Sequence, residues 1–256
     1  MKVAILAGGL GTRLSEETIL KPKPMVEIGG MPILWHIMKI YSSYGYNEFI
    51  VCLGYKGYII KEFFHNYFLH MSDVEIDIGS NEIRYFNSKS ENWKITLVDT
   101  GLNSMTGSRL KRIEPYLSDD FMLTYGDGIS DIDIRRLVEN HKKSGHLATL
   151  TSVQPDGRYG ILDIEDDIVS KFVEKPAGDN NWINAGFFVM NKKVLSLLDK
   201  TRDDEVLELD LLSKLAESGD LGVYRHYSFW KCMDTLRDKD ILDSMWHNNP
   251  KWKVWK

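Results

Sequence analysis

The sequence predicts an α/β fold, a mostly parallel central sheet flanked by helices. Three observations carry this. An apolar run at residues 3–6 breaks at once into a glycine-rich turn. Strand and helix patterns then alternate through the first 69 residues, the order of a parallel sheet with crossovers. A later buried strand, residues 121–124, ends in Tyr125-Gly126-Asp127-Gly128, which sets an acid between glycines at a strand's carboxyl end.

In chain order, residues 31–44 carry Ile33, Leu34, Ile37, Met38 and Tyr41 at helical spacing, and Gly45 is a natural stop. Residues 49–53 read as a second strand and 59–69 as a second helix. The alternation then fails. Residues 74–78 and 81–86 read as short strands around Gly79-Ser80, 87–92 as a polar loop and 93–99 as another strand. This β-rich stretch, near 71–99, reads as an insertion, either a surface ribbon without chemistry or a subunit contact.

A helix is predicted over 108–117, another over 133–143 stopped by Gly145, and a strand over 148–153. Residues 160–163 and 168–173 pair as a hairpin. A strand at 183–190 precedes a helical turn at 194–198, a helix at 208–217, a strand at 222–227 and a closing helix at 235–246. No repeat, low-complexity tract or linker interrupts the chain, so residues 1–256 read as a single Rossmann-like domain with a helical C-terminal end from about 235.

Composition narrows the function. The 256 residues are 43% hydrophobic and 27% charged, ordinary for a soluble globular protein. A net charge of −5 argues against a broad nucleic-acid footprint, so any phosphate site is a local positive spot on an acidic background. The two cysteines lie far apart and imply no disulfide framework, which suits a reducing cytoplasm. Cys52 falls in an apolar run and reads as a small core residue. The first strand leaves no room for a secretory signal, and no apolar run approaches a membrane span.

The glycine turn reads Leu6-Ala7-Gly8-Gly9-Leu10-Gly11-Thr12-Arg13. Without Cβ atoms its backbone can approach a ligand closely, and successive N–H groups in such a turn make an anion-binding concavity. Arg13 adds a planar fork of donors suited to phosphate. Ten residues on, Lys21-Pro22-Lys23-Pro24 brings two more cations on a proline-stiffened segment. Together these features favour a polyphosphate site over an ordinary turn.

Asp127 alone reads as a turn aspartate capping the next helix. Beside the glycine turn it reads as a ligand for Mg²⁺, which takes one or two carboxylates plus substrate phosphates. Asp234 alone reads as an N-cap. In the polar run 99–109, Ser104 and Thr106 could read a nucleobase edge and Arg109 could donate to base or phosphate, while helix capping by Thr106 or Ser108 is the plainer reading. Glu174-Lys175-Pro176 is either a solvated charge pair or a phosphate holder. Asn184 and Gly186 are either a turn amide with its glycine or a hydroxyl-recognition element.

The pattern of residues 6–14 followed by Lys23-Pro24-Met25-Val26 resembles the signature of the sugar nucleotidylyltransferases. It is neither a Walker loop nor the dinucleotide GxGxxG motif. The resemblance runs nearly end to end, through VDTGLNSMTGSRLKR, TYGDG, EKP, INAGFFV and MDTLRDK. It implies the nucleotide-diphospho-sugar transferase type of fold. It implies Asp127 and Asp234 as ligands of Mg²⁺, Arg13 and Lys23 as catalytic cations, and residues 6–13, Lys23, Ser104, Thr106, Arg109 and Gly126 as the nucleotide site. Glu174, Lys175, Asn184, Gly186 and Trp230 are implied to hold the sugar phosphate.

Trp35-His36, Asp99-Thr100-Gly101 and residues 233–239 set the chain apart from thymidylyl and uridylyl relatives and imply CTP and glucose 1-phosphate as substrates. A homohexamer and a place in cytoplasmic synthesis of lipopolysaccharide O-antigen sugars are implied too. One departure is Lys231-Cys232, where Gln-Pro is expected, which places an added charge near the sugar and metal site. The alternatives kept open are UTP or dTTP as the nucleotide, a glycosyltransferase using Asp131-Ile132-Asp133, and a non-catalytic sensor. Pyrophosphate release separates the first reaction class from the others.

Overall fold

A computed structural model describes residues 1–155, 161–165, 168–173 and 181–255. The strands are β1 (Lys2–Leu6), β2 (Glu27–Ile28), β3 (Met31–Pro32), β4 (Glu48–Leu53), β5 (Asp73–Asp77), β6 (Glu82–Phe86), β7 (Lys94–Asp99), β8 (Asp120–Tyr125) and β9 (Gly128–Ser130). They continue as β10 (Ala148–Val153), β11 (Ile161–Glu165), β12 (Ile168–Val173), β13 (Ile183–Asn191), β14 (Leu221–Arg225) and β15 (Trp230–Cys232). The α-helices are α1 (Ser15–Thr18), α2 (Ile33–Ser43), α3 (Gly57–His65), α4 (Tyr67–His70), α5 (Thr106–Arg112), α6 (Ile134–Ser144), α7 (Ser213–Glu217) and α8 (Leu236–Asn248).

Seven strands form the central sheet in the order β14-β10-β13-β8-β1-β4-β7. The pairs β1–β4, β1–β8, β4–β7 and β10–β14 are parallel, and β13 runs antiparallel to both its neighbours. Alternation along each strand feeds two cores. Val3 and Ile5 of β1 join Phe187 and Val189 of β13 under α2, α6 and α8. Ala4 and Leu6 join Cys52, Phe188 and Met190 on the other face, under α5 and α7. Cys52 is the core residue its apolar run predicts, and burial pushes its thiol up to about 12.

Local chemistry accounts for departures from the predicted elements. The helix expected over 108–117 is α5 followed by a 3₁₀ turn at Glu114–Tyr116, because Pro115 has no N–H to continue an α-helical ladder. The helix expected at 59–69 divides at Asn66 into α3 and α4. The helix expected at 208–217 begins as a wide π turn, Leu207–Leu212, before α7. The insertion is the hairpin β5–β6, with Ile76, Ile83, Tyr85 and Phe86 exposed. Two short pieces with no sequence signature, β9 and β15, pair antiparallel with Cys232 opposite Gly128. Among the described residues no helix is long and apolar enough to cross a membrane.

The C-terminal tryptophans are structural. Trp252 is fully buried beside His36. His36 Nε2 lies 2.8 Å from the Ile28 carbonyl, and Trp252 donates its indole N–H to His36 Nδ1 at 3.3 Å. Those partners place the imidazole proton on Nε2.

Candidate functional site

Strand order reverses between β1 and β8, since β4 lies beyond one and β13 beyond the other. Ligands of open α/β sheets bind outside the carboxyl ends of strands at such a point. A cleft of about 540 Å³ opens there, lined by the glycine turn after β1, by Gly126 and Asp127 after β8, by the 104–109 segment and by Asn184, Trp230, Cys232 and Asp234. This is the size of a nucleotide-scale pocket.

Lys23 stands at the centre of the charge. Pro22 and Pro24 hold it on a 3₁₀ turn, Lys23–Met25. Its Nζ lies 2.6 Å from Oδ2 of Asp127 and 2.7 Å from Oδ1 of Asp234. The two carboxylates meet because the β9–β15 ribbon extends into a bond from the Met233 N–H to the Asp127 carbonyl at 2.9 Å. Burial pulls the Lys23 ammonium pKa down, but the charge of Asp127 and the hydrogen bonds the ammonium donates to both aspartates outweigh it, and the net shift is upward. Asp234 is likewise penalised by burial, yet Lys23 brings it below the ordinary carboxylate range.

Asp234 is not the helix cap. Thr235 caps α8 in a capping box with Asp238, and Asp238 also accepts from the Asp234 N–H at 3.2 Å. That leaves the Asp234 carboxylate free to face the cleft. Arg13, 78% exposed on the 3₁₀ turn Thr12–Leu14, reaches Asp234 Oδ2 at 3.4 Å.

The Lys231-Cys232 departure divides across the short strand. Lys231 pairs with Asp238 at 3.1 Å and is absent from the cleft lining, so its charge does not enter the cleft as the sequence suggested. Cys232 does line it, and its sulfur lies within 4.8 Å of carboxylate oxygens of Asp127 and Asp234. Burial first, and then those two negative charges, raise the thiol pKa.

Arg109 has an architectural place. It is 4% exposed, and its guanidinium donates to the carbonyls of Leu53, Gly101, Gly8 and Leu102 and to the Thr100 hydroxyl, at 2.7–3.2 Å. It ties the glycine turn to the 100–102 loop. Gly8 is required there, for a Cβ at that position would lie 2.2 Å from Arg109 Nη1.

Segment 203–208 straps the head of α5. The Met105 N–H donates to the Asp203 carbonyl, the Gly107 and Ser108 N–H groups to the Glu205 carbonyl, and the Leu207 N–H to Thr106 Oγ1. Neither Thr106 nor Ser108 caps α5. Ser104 is held by Asp203 and Arg112.

On the opposite wall, Asn184 Oδ1 accepts from the Gly186 N–H at 2.9 Å and its Nδ2 donates to the Tyr125 phenol at 3.4 Å. Gly186 has φ +81°, and a Cβ there would lie 2.4 Å from the Tyr125 ring. Trp230 donates its indole N–H to the Ala185 carbonyl at 2.8 Å.

Of the residues predicted from sequence, Leu6, Ala7, Gly8, Gly9, Gly11, Thr12, Arg13, Lys23, Ser104, Thr106, Arg109, Gly126, Asp127, Asn184, Trp230 and Asp234 line one cleft. Leu10 is exposed, and neither it nor Gly186 is in the lining. Glu174 and Lys175 lie outside the described residues. Sequence reasoning missed Tyr125 and Cys232 as cleft residues. Their signals were present, each two residues before an aspartate, Asp127 for Tyr125 and Asp234 for Cys232. The Asp131-Ile132-Asp133 pair is committed elsewhere: Asp133 caps α6, and Asp131 holds His226 and Ser228.

Comparison with known proteins extends these observations. The model of the family described as nucleotidyl transferase matches residues 2–248. A curated glucose-1-phosphate cytidylyltransferase of Salmonella typhi is 54% identical with all of both chains covered. A probable glucose-1-phosphate cytidylyltransferase of Bacillus subtilis is 43% identical, again with full coverage. Among solved structures, HddC from Yersinia pseudotuberculosis superimposes with a TM-score of 0.70 at 26% identity, covering 96% of this chain and 99% of that one.

Proposed function

The chain belongs to the nucleotidyl transferase family, and on that footing we propose that it transfers a cytidylyl group from CTP to α-D-glucose 1-phosphate, giving CDP-glucose and pyrophosphate. One observation carries the chemistry. A lysine ammonium sits between two carboxylates beneath a glycine turn, at the carboxyl ends of β1 and β8. Relatives of full-length similarity supply the base and the sugar.

A phosphate oxygen of glucose 1-phosphate attacks the α-phosphorus in line and pyrophosphate leaves. That oxygen is already ionised, so no general base is needed, and catalysis is positioning and charge stabilisation. Backbone N–H groups of residues 8–13 receive the triphosphate. Arg13 and Lys23 neutralise charge on the α-phosphate and the leaving group. Asn184 takes a sugar hydroxyl beside Trp230, and Lys175, next to Glu174 in the sugar-phosphate site, takes the phosphate of the sugar phosphate.

Enzymes of this family generally use a divalent metal, and the residues fit one. Asp127 and Asp234 converge on a single cation, the Lys23 ammonium, and their hard oxygen donors suit Mg²⁺. When bound, Mg²⁺ supplies positive charge to the triphosphate. With the carboxylates holding the metal, the Lys23 ammonium would be free to meet the phosphates. The same reading carries a cytoplasmic homohexamer, and the exposed apolar side chains of the β5–β6 hairpin support a subunit contact there.

Initial rates of pyrophosphate release over four nucleoside triphosphates and several sugar phosphates test the proposal. The expected optimum is CTP with glucose 1-phosphate. A preference for another pair, or hydrolysis without a sugar product, would refute it.

A further inference from the structure

Thr106 lines the cleft at the head of α5, and its hydroxyl already has two partners. It accepts the Leu207 N–H at 2.8 Å and lies 3.2 Å from Oε2 of Glu208. A hydroxyl has one proton and two lone pairs, whereas a carboxylate oxygen has only lone pairs. The proton between them therefore comes from Thr106. One lone pair is left on Oγ1, and no proton.

The other oxygen of Glu208 accepts the phenol proton of Tyr125. Burial, and then the charge of Glu208, raise the Tyr125 pKa, so the phenol keeps that proton to give. The Tyr125 oxygen in turn accepts from Asn184. One half-buried carboxylate thus sets hydrogen-bond polarity on both walls of the cleft: an acceptor at Thr106, and a spare amide N–H at Asn184. Glu208 is pinned for this in the wide turn Leu207–Leu212, between the buried side chains of Leu207 and Leu211. Such widened turns recur at functional sites.

We propose that Glu208 determines base preference by holding the Thr106 proton, so that Thr106 meets the base edge as an acceptor. Cytosine presents an amino donor where uracil and thymine present a carbonyl. A lone pair facing a carbonyl leaves both unpaired, whereas a lone pair facing an amino group makes a hydrogen bond. The inference rests on the reading that the nucleotide lies with its base against residues 104–109. Glu208 is a positioning residue here, acting through Thr106 without touching the ligand.

The test is kcat/KM for CTP and for UTP, each with saturating glucose 1-phosphate, in the wild type and in Glu208→Ala, Thr106→Val and Thr106→Ser. Near-ultraviolet circular dichroism monitors folding. The wild type is expected to favour CTP. Glu208→Ala frees the Thr106 proton to meet a carbonyl, so the CTP-to-UTP ratio should fall about ten- to a hundredfold. Thr106→Val should lower it similarly by removing the acceptor, and Thr106→Ser should preserve it. If Glu208→Ala does not fold, the two Thr106 variants decide. Equal losses with both nucleotides at an unchanged ratio would mark a purely structural role and overturn this inference alone. A wild type that uses UTP as well as CTP overturns it too. A wild type that releases no pyrophosphate with either nucleotide overturns the enzymatic reading along with it.

Discussion

Lys23 Nζ lies 2.6 Å from Oδ2 of Asp127, a residue 104 positions later in the chain. The pair spans the floor of the cleft and joins the proline-stiffened turn to the end of β8. With Arg13 beside Asp234, two cations face the two carboxylates of the site. A cation already stands where the carboxylates converge, and it is tethered by a side chain long enough to follow a phosphate.

Replacing Lys23 by alanine should lower turnover on the order of 10²–10³, the usual loss for one preorganised donor. Lys23 lines the cleft and its ammonium bonds to cleft carboxylates, so far-ultraviolet circular dichroism should be unchanged. Full turnover in this variant would remove Lys23 from the chemistry.

Arg109→Leu should cost roughly 3 kcal/mol of folding stability, because the Gly101 and Leu102 carbonyls lose their donor and those of Gly8 and Leu53 each lose one of theirs. Its KM for CTP should rise as the glycine turn loosens. Arg109→Lys should rescue neither, since an ammonium cannot span both loops as the planar fork does. Denaturant titration and initial rates read the two effects, and a lysine variant indistinguishable from wild type would contradict the bridging role.

His36 makes stability depend on pH. Burial lowers its pKa to about 4, against 6.5 for the ordinary group. Between pH 6.5 and 4 the unfolded chain takes up the proton and the folded chain does not, so stability falls as pH falls. The slope approaches about 1.4 kcal/mol per pH unit and totals about 3 kcal/mol. In His36→Gln this component should vanish, so the unfolding free energies of variant and wild type should converge on acidification. Curves that run parallel from pH 7 to about pH 4.5, within the window set by that shift, would contradict it.

Metal removal should abolish turnover, and Mg²⁺ should restore it. Cys232 adds a soft donor near Asp127 and Asp234, so Zn²⁺ should compete with Mg²⁺ and inhibit. Cys232→Ser should weaken that inhibition about tenfold or more. Equal sensitivity to Zn²⁺ in both proteins would show that the sulfur does not reach the ion.

The parallel half of the sheet was legible because β1, β4 and β8 are continuous apolar runs, and such runs mark strands buried on both faces. The glycine turn and Lys23-Pro24 were legible as chemistry because few structural needs call for three glycines, an arginine and a proline-flanked lysine together. The β9–β15 ribbon was not. Three-residue strands are too short to show a period, yet this pairing brings Asp234 to Asp127. The commitment of Arg109 was hidden for another reason. Its acceptors are backbone carbonyls, which carry no residue identity in a sequence. Glu208 read as an ordinary polar position on a helix because its partners, Thr106 and Tyr125, lie 102 and 83 residues away.

Phosphorus NMR of the protein with CTP, glucose 1-phosphate and Mg²⁺ tests the central claim most directly. The account predicts equimolar growth of CDP-glucose and pyrophosphate, stopped by chelating the metal and by Asp127→Asn. Conversion of CTP to CDP and inorganic phosphate, or product formation unaffected by loss of Asp127, would contradict it.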